Sequence, residues 1–164
     1  MIRPVDPADS DAIRSIYNYY VENTHACFEE TAVPAADMEE RIRKISEKFP
    51  YLVWEEETNR HEIAGYIYAN TWKDRSAYRF SAELSMYVKD GFLDRGIGRK
   101  LMEGMLEDIR KAGIHSLVSG IVLPNDRCIA LHEKFGFKKI AQFEEIGFKF
   151  NRWYDVGYWE LKLN

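Results

Sequence analysis

Residues 83–88 (ELSMYV) read as a strand, and the chain then breaks into Asp94-Arg95-Gly96-Ile97-Gly98-Arg99 before a helix opens at once. A strand that stops at Gly-x-Gly on a helix N-terminus aims unpaired backbone N–H groups and the positive end of the helix dipole at one point. No β-carbon blocks close approach there, so the point suits phosphate oxygens. Two familiar phosphate loops are excluded. Gly98 is followed by Arg99-Lys100-Leu101, without the Lys-Ser/Thr of a nucleotide-triphosphate loop. Leu101 stands where a dinucleotide fingerprint needs its third glycine. Two glycines alone fit a ligand-free turn equally well.

Two further residues could move protons. Glu83 sits among Phe80, Ser81, Ala82, Leu84 and Ser85. A carboxylate shielded there would have a raised pKa and accept a proton; strand alternation alone also permits an exposed acid. His132 carries an imidazole, which titrates near neutrality, and its bland alternative is a helix-surface histidine.

These residues need elements to position them. After the loop, Ile97, Leu101, Met105 and Ile109 repeat on one helical face, with Lys111 in the last turn and Gly113 as a stop. A second strand covers 116–123, and Asn125 after Pro124 caps a helix carrying Leu131, His132 and Phe135. Gly136-Phe137 closes that helix. Upstream, 2–5 is a short strand. Asp6 and Pro7 start a helix whose face is Ile13, Ile16, Tyr17, Tyr20 and Val21. A loop over 24–34 precedes a helix marked by Met38, Ile42, Ile45 and Phe49. Strands are expected at 51–56 and 62–69, joined by a turn at Thr58-Asn59-Arg60, and then at 79–88, 139–143 and 153–163. Hairpins mixed with helical crossovers predict an α/β (α+β) fold on a mixed sheet.

At 164 residues, 46% apolar and 30% charged, the chain is expected to be one domain, 1–164, without disulfides or metal. A net charge of −4 argues against nucleic acid and anionic membrane as partners. Asp6, Asp9 and Asp11 argue against an N-terminal signal sequence, and no apolar run reaches membrane length. Cys27 and Cys128 lack metal-ligand spacing and read as reduced thiols in a cytoplasmic protein.

The segments WKDRSAYRFSAELSMYV, DRGIGRKL, IVLPNDRCIALHEKFGF and GFKFNRWYDVGYWELKL resemble the GCN5-related N-acetyltransferase superfamily, most closely the phosphinothricin N-acetyltransferase-like family. The resemblance runs from Ile2 to Leu163. It implies the acyl-CoA N-acyltransferase fold, with helices on both faces of a mixed sheet splayed between its fourth and fifth strands. It also implies acetyl-CoA as cosubstrate, with the pantetheine arm along Met86, Tyr87 and Val88 and the pyrophosphate on the amides of Arg95, Gly96, Ile97, Gly98 and Arg99. Asp94 and Asn125 belong to the same cofactor site. The loop departs from the superfamily at Leu93, where Gln or Arg is usual.

The implied activity is direct acetylation, in a ternary complex, of the α-amine of a small amino acid or analogue such as phosphinothricin, methionine sulfone or methionine sulfoximine. Glu83 and His132 become the catalytic acid–base pair, in either order. Arg75 becomes the bidentate clamp for the substrate's carboxylate or phosphinate, Lys73 an added point charge, Tyr78 a phenol and flat wall, and Phe28 an aromatic wall. Glu29 and Glu30 make this wall more acidic than in phosphinothricin-acetylating relatives. The resemblance implies a homodimer, with Trp153, Tyr154, Tyr158 and Trp159 as core and dimer surface. Two alternatives stay open: acetylation of a protein or peptide amine, and a catalytically silent acyl-CoA sensor.

Overall fold

The computed structural model describes residues 1–57 and 61–163. The expected turn at Thr58-Asn59-Arg60 lies outside the described residues. The elements are β1 (Ile2–Pro4), a 3-10 turn (Pro7–Asp9), α1 (Ser10–Asn23), α2 (Ala35–Ser46), β2 (Tyr51–Glu55), β3 (Ile63–Thr71), a second 3-10 turn (Ser76–Tyr78), β4 (Ser81–Val88), α3 (Ile97–Lys111), β5 (Ser116–Val122), α4 (Asp126–Lys134), β6 (Lys138–Lys149) and β7 (Arg152–Lys162). Apart from the 3-10 turns, this is the order expected from the family resemblance.

The start of the first helix follows its sequence signals. Asp6 accepts from the Ala8 N–H, Asp9 accepts from the Asp6 N–H, and Pro7 occupies the first turn. Phe49 falls beyond the end of α2, and β4 begins at Ser81 because residues 76–78 coil before it.

The seven strands lie in the order β1-β2-β3-β4-β5-β7-β6. All neighbours are antiparallel except β4 and β5. Strand periodicity divides the core between the two faces. Leu52, Ile67, Ala69, Ala82 and Leu84 pack with Leu101, Met102, Met105 and Ile109 of α3. Tyr51, Val53 and Tyr66 pack with Ile13 and Ile16 of α1 and Met38 and Ile42 of α2. Leu101, Met102, Met105 and Ile109 are fully buried, each stabilising by roughly 1.5–3 kcal/mol.

The parallel pair is short. Ser81, Ala82 and Glu83 face Ser116, Leu117 and Val118, and the ladder ends there. From Leu84 and Ser119 onward the two strands diverge, as expected for a sheet splayed between its fourth and fifth strands.

Candidate active site

The divergence opens a cleft of ≈ 510 Å³ between the two strands, floored by the start of α3 and walled by α4. Its lining includes the predicted Met86, Tyr87, Val88, Asp94, Gly96, Ile97, Gly98, Arg99, Asn125 and His132. Backbone direction on β4 follows its period of two. The Lys89 N–H reaches back to Ala64 on β3, so the N–H and C=O groups of Leu84, Met86 and Val88 point to the opposite, open side. Two carbonyls on that side have side-chain partners. Ser119 Oγ donates to Leu84 O at 3.4 Å, and Tyr20 Oη donates to Val88 O at 2.6 Å. The Met86 groups between them face the cleft.

Gly96 caps α3 at φ 78°, a left-handed conformation open to glycine at little cost. At Gly98 a β-carbon would stand 3.2 Å from Leu131 and 3.5 Å from Met86, so this glycine lets α3 and α4 close on the strand. No side chain caps α3, which leaves its first amides free for an anion. Arg95 is not among the lining residues; its guanidinium lies 4.5 Å from the Phe92 ring centroid.

Asn125 caps α4 by accepting from the Cys128 N–H. The helix presents His132, which is 2% exposed, to the cleft. His132 Nδ1 donates to Cys128 O at 2.8 Å, while Nε2 has no partner among the described residues. The carbonyl partner fixes the proton on Nδ1 and leaves a lone pair at Nε2. Burial lowers the pKa of this imidazole and so favours its neutral form, against the opposing pull of the Cys128 carbonyl.

A second cavity of ≈ 480 Å³ opens on the α1–α2 face. It shares Ala26, Ser85 and Tyr87 with the cleft, so the two meet across β4. Glu83 lines this second cavity, with Phe28, Tyr17, Cys27, Glu29, Tyr68 and Asn70. Alternation puts Glu83, Ser85 and Tyr87 on the face opposite Ala82 and Leu84. Burial raises the pKa of Glu83, and the charge of Lys73 partly offsets this.

Phe28, in the 24–34 loop, packs its ring on β6, where a β-carbon at Gly147 would stand 2.1 Å from it. Lys149, also on β6, is 2% exposed and donates to Cys27 O at 2.6 Å. Glu29 accepts from Tyr17 and, bidentately, from Arg41 at 2.6 and 2.9 Å. Arg41 holds the Glu29 carboxyl below its ordinary pKa.

Three predicted residues stand apart. Lys73, Arg75 and Tyr78 line neither cavity and lie on the exposed 73–80 segment. Lys73 lies over the Trp72 ring, and only its charge reaches Glu83. Sequence reasoning placed Glu29 beside the pocket but missed Tyr17, Cys27, Tyr68, Asn70 and Ser85 in the second cavity, and Tyr20, His25 and Arg127 in the cleft. The alternation of Tyr66, Tyr68 and Asn70 with Glu83, Ser85 and Tyr87 was the available signal. Of the aromatic C-terminal residues, Tyr154 and Trp159 are buried and Trp153 is exposed.

A mixed sheet splayed at its one parallel pair, with a glycine-capped helix at the split, is the arrangement of an acetyltransferase class. The profile of the Acetyltransferase (GNAT) domain matches residues 2–157, and the chain belongs to that family. Within it the chain is phosphinothricin N-acetyltransferase-like, and it is an N-acetyltransferase using acetyl-CoA. The L-methionine sulfoximine/L-methionine sulfone acetyltransferase of Salmonella typhimurium is 34% identical over 167 residues, covering 99% of this chain and 94% of the relative. A phosphinothricin acetyltransferase from Sinorhizobium meliloti, solved in complex with acetyl-CoA, superposes with a TM-score of 0.96 at 32% identity, covering 100% of this chain and 88% of its own. A ribosomal-protein-alanine N-acetyltransferase from Brucella melitensis superposes with a TM-score of 0.95 at 34% identity, covering 99% of each chain.

The cleft fits acetyl-CoA. It has open backbone groups on β4, free amides at α3 and a buried, unpartnered nitrogen at its inner wall. Among the described residues no cluster could hold a metal ion, and no helix is long and apolar enough to cross a membrane.

Proposed function

We propose that this protein acetylates the α-amine of a small amino acid or analogue by direct attack within a ternary complex. The observation that carries this reading is Glu83: a carboxylate with a raised pKa, on the strand that separates the two cavities and beside their shared residues. Acetyl-CoA, when bound, supplies the thioester that the amine attacks. The amine arrives as an ammonium without a lone pair, and Glu83 accepts its proton. The Val88 N–H, on the open side of β4, stabilises charge on the carbonyl oxygen. After attack the nitrogen still carries a surplus proton; His132, with its lone pair at Nε2, takes that proton and passes it to the departing sulfur. The amides of residues 95–99 hold the pyrophosphate, with Asp94 and Asn125 shaping the site. Phe28 walls the substrate side; Lys73, Arg75 and Tyr78 lie outside both cavities, so a contact from them to the substrate's anionic group requires the 72–80 loop to move inward.

The relatives' substrates point to methionine sulfone, methionine sulfoximine and phosphinothricin as the class. Free-thiol release from acetyl-CoA with a panel of these, common amino acids, polyamines and a peptide tests the reading. Turnover with the sulfone or phosphinate is expected; turnover with the peptide alone would overturn it. A second reading, acetylation of a protein N-terminus, is favoured by the likeness to the Brucella enzyme, and the peptide arm decides it.

The chain acts as one domain, 1–164, and as a homodimer. Ile140, Phe143, Ile146 and Phe148 on the edge strand β6, with Phe150 and Trp153 beyond it, are 48–55% exposed, and a second copy would cover them. Light scattering behind size exclusion tests this, and a monomer at micromolar concentration would refute it. Two free cysteines support a cytoplasmic location.

A further inference from the structure

The glycine loop lacks the polar side chain that its superfamily places at the position of Leu93, and its other cations are turned elsewhere. Arg95 stacks on Phe92, Lys100 lies 4.9 Å from the Trp54 ring centroid, and Arg99 Nε donates to Glu103 at 2.8 Å. The cleft lining contains two guanidinium groups among the described residues, Arg99 and Arg127. Arg127 comes from the opposite wall, in the first turn of α4. Its Nη2 donates to Asp94 Oδ2 at 3.0 Å, two residues before the glycine that caps α3.

We infer that Arg127 is a binding residue for the cosubstrate's pyrophosphate, supplying from α4 the side-chain contact that Leu93 cannot make. Asp94 competes for it. The bridge ties the guanidinium to the rim of the amide cradle, and it is weak: Arg127 is 58% and Asp94 75% exposed, a setting in which ion pairs contribute little. A diphosphate on the α3 amides would offer Arg127 a bidentate acceptor of higher charge. It would also meet the Asp94 carboxylate as a like charge. Removing Arg127 therefore loses a contact and leaves Asp94 unscreened, whereas neutralising Asp94 releases Arg127 to the phosphate. Asp94 has φ 63°, which asparagine tolerates well, so Asp94→Asn changes charge while keeping the turn.

The inference rests on acetyl-CoA being the cosubstrate, and calorimetry separates the two claims. Wild type, Arg127→Ala and Asp94→Asn are titrated with CoA, 3′-dephospho-CoA and pantetheine. Arg127→Ala is expected to weaken CoA and dephospho-CoA alike, by about tenfold, and to leave pantetheine unchanged. Asp94→Asn is expected to tighten both phosphate-bearing ligands. An Arg127→Ala loss confined to CoA would move the contact to the 3′-phosphate and overturn the assignment. Equal losses for all three ligands, or none, would overturn it as well. Wild type that binds none of them would overturn the cosubstrate reading too.

Discussion

The two cavities that meet at β4 are made of different materials. The cleft sets backbone donors and acceptors in a mostly apolar lining: the open groups of Met86, the Val88 N–H and the first amides of α3. The second cavity is largely side chain, gathered from α1, the 24–34 loop, β3 and β4. A site of backbone and glycine tolerates sequence change around it and binds one invariant ligand. A site of side chains is re-specified by single substitutions. Relatives solved with acetyl-CoA stand beside relatives named for different amines, so the proposed division of task follows the division of material.

The two cavities should therefore fail differently under mutation. Glu83→Gln should lower turnover by about 10²–10⁴-fold while the calorimetric Kd of CoA stays at the wild-type value; a parallel loss of CoA binding would dissolve the distinction. Gly96→Val, forced into a left-handed conformation at about 1–2 kcal/mol, should weaken CoA about tenfold with the amine KM little changed. Arg41→Ala frees Glu29 from its bidentate partner and should raise the amine KM about three- to fivefold, with no effect on CoA.

Two pH effects sharpen the contrast. Because burial raises Glu83 above its ordinary 4.5, falling pH protonates it while other carboxylates remain charged. The acid limb of kcat/KM should have its midpoint above 4.5 and disappear in Glu83→Gln. His132 shifts the other way, from 6.5 downward. Above 6.5 neither the folded nor the unfolded state holds the extra proton. Below it the unfolded imidazole takes a proton that the folded one refuses, so stability falls by up to about 1.4 kcal/mol per pH unit until the lowered value is reached. Denaturant melts at pH 7 and 5.5 should show a smaller decrease in His132→Gln.

What could be read in the sequence follows the same division. The α3 face, the caps at Asp6 and Asn125 and the glycine loop depend on local chemistry, so spacing revealed them. Much of the second cavity does not. Tyr17 read as part of an apolar helix face, yet its hydroxyl bonds to Glu29. Asn70 meets Glu83 only through the β3–β4 register. Strand β6 runs to Lys149, past the expected end at Phe143, and two features hid this in the sequence. Its register is broken between Phe143 and Gly147. Its turn places Phe150 and Asn151 at φ 51° and 57° without a glycine to announce it.

The bond from Lys149 to the Cys27 carbonyl joins residues 122 positions apart. A chain made from its N-terminus presents Cys27 and Phe28 long before Lys149 and Gly147 leave the ribosome. This wall of the second cavity therefore lacks that partner until the last two strands are made. A chain truncated before β6 would lack what Lys149 and Gly147 give this wall, and β5 at the cleft would lose its neighbour β7 as well.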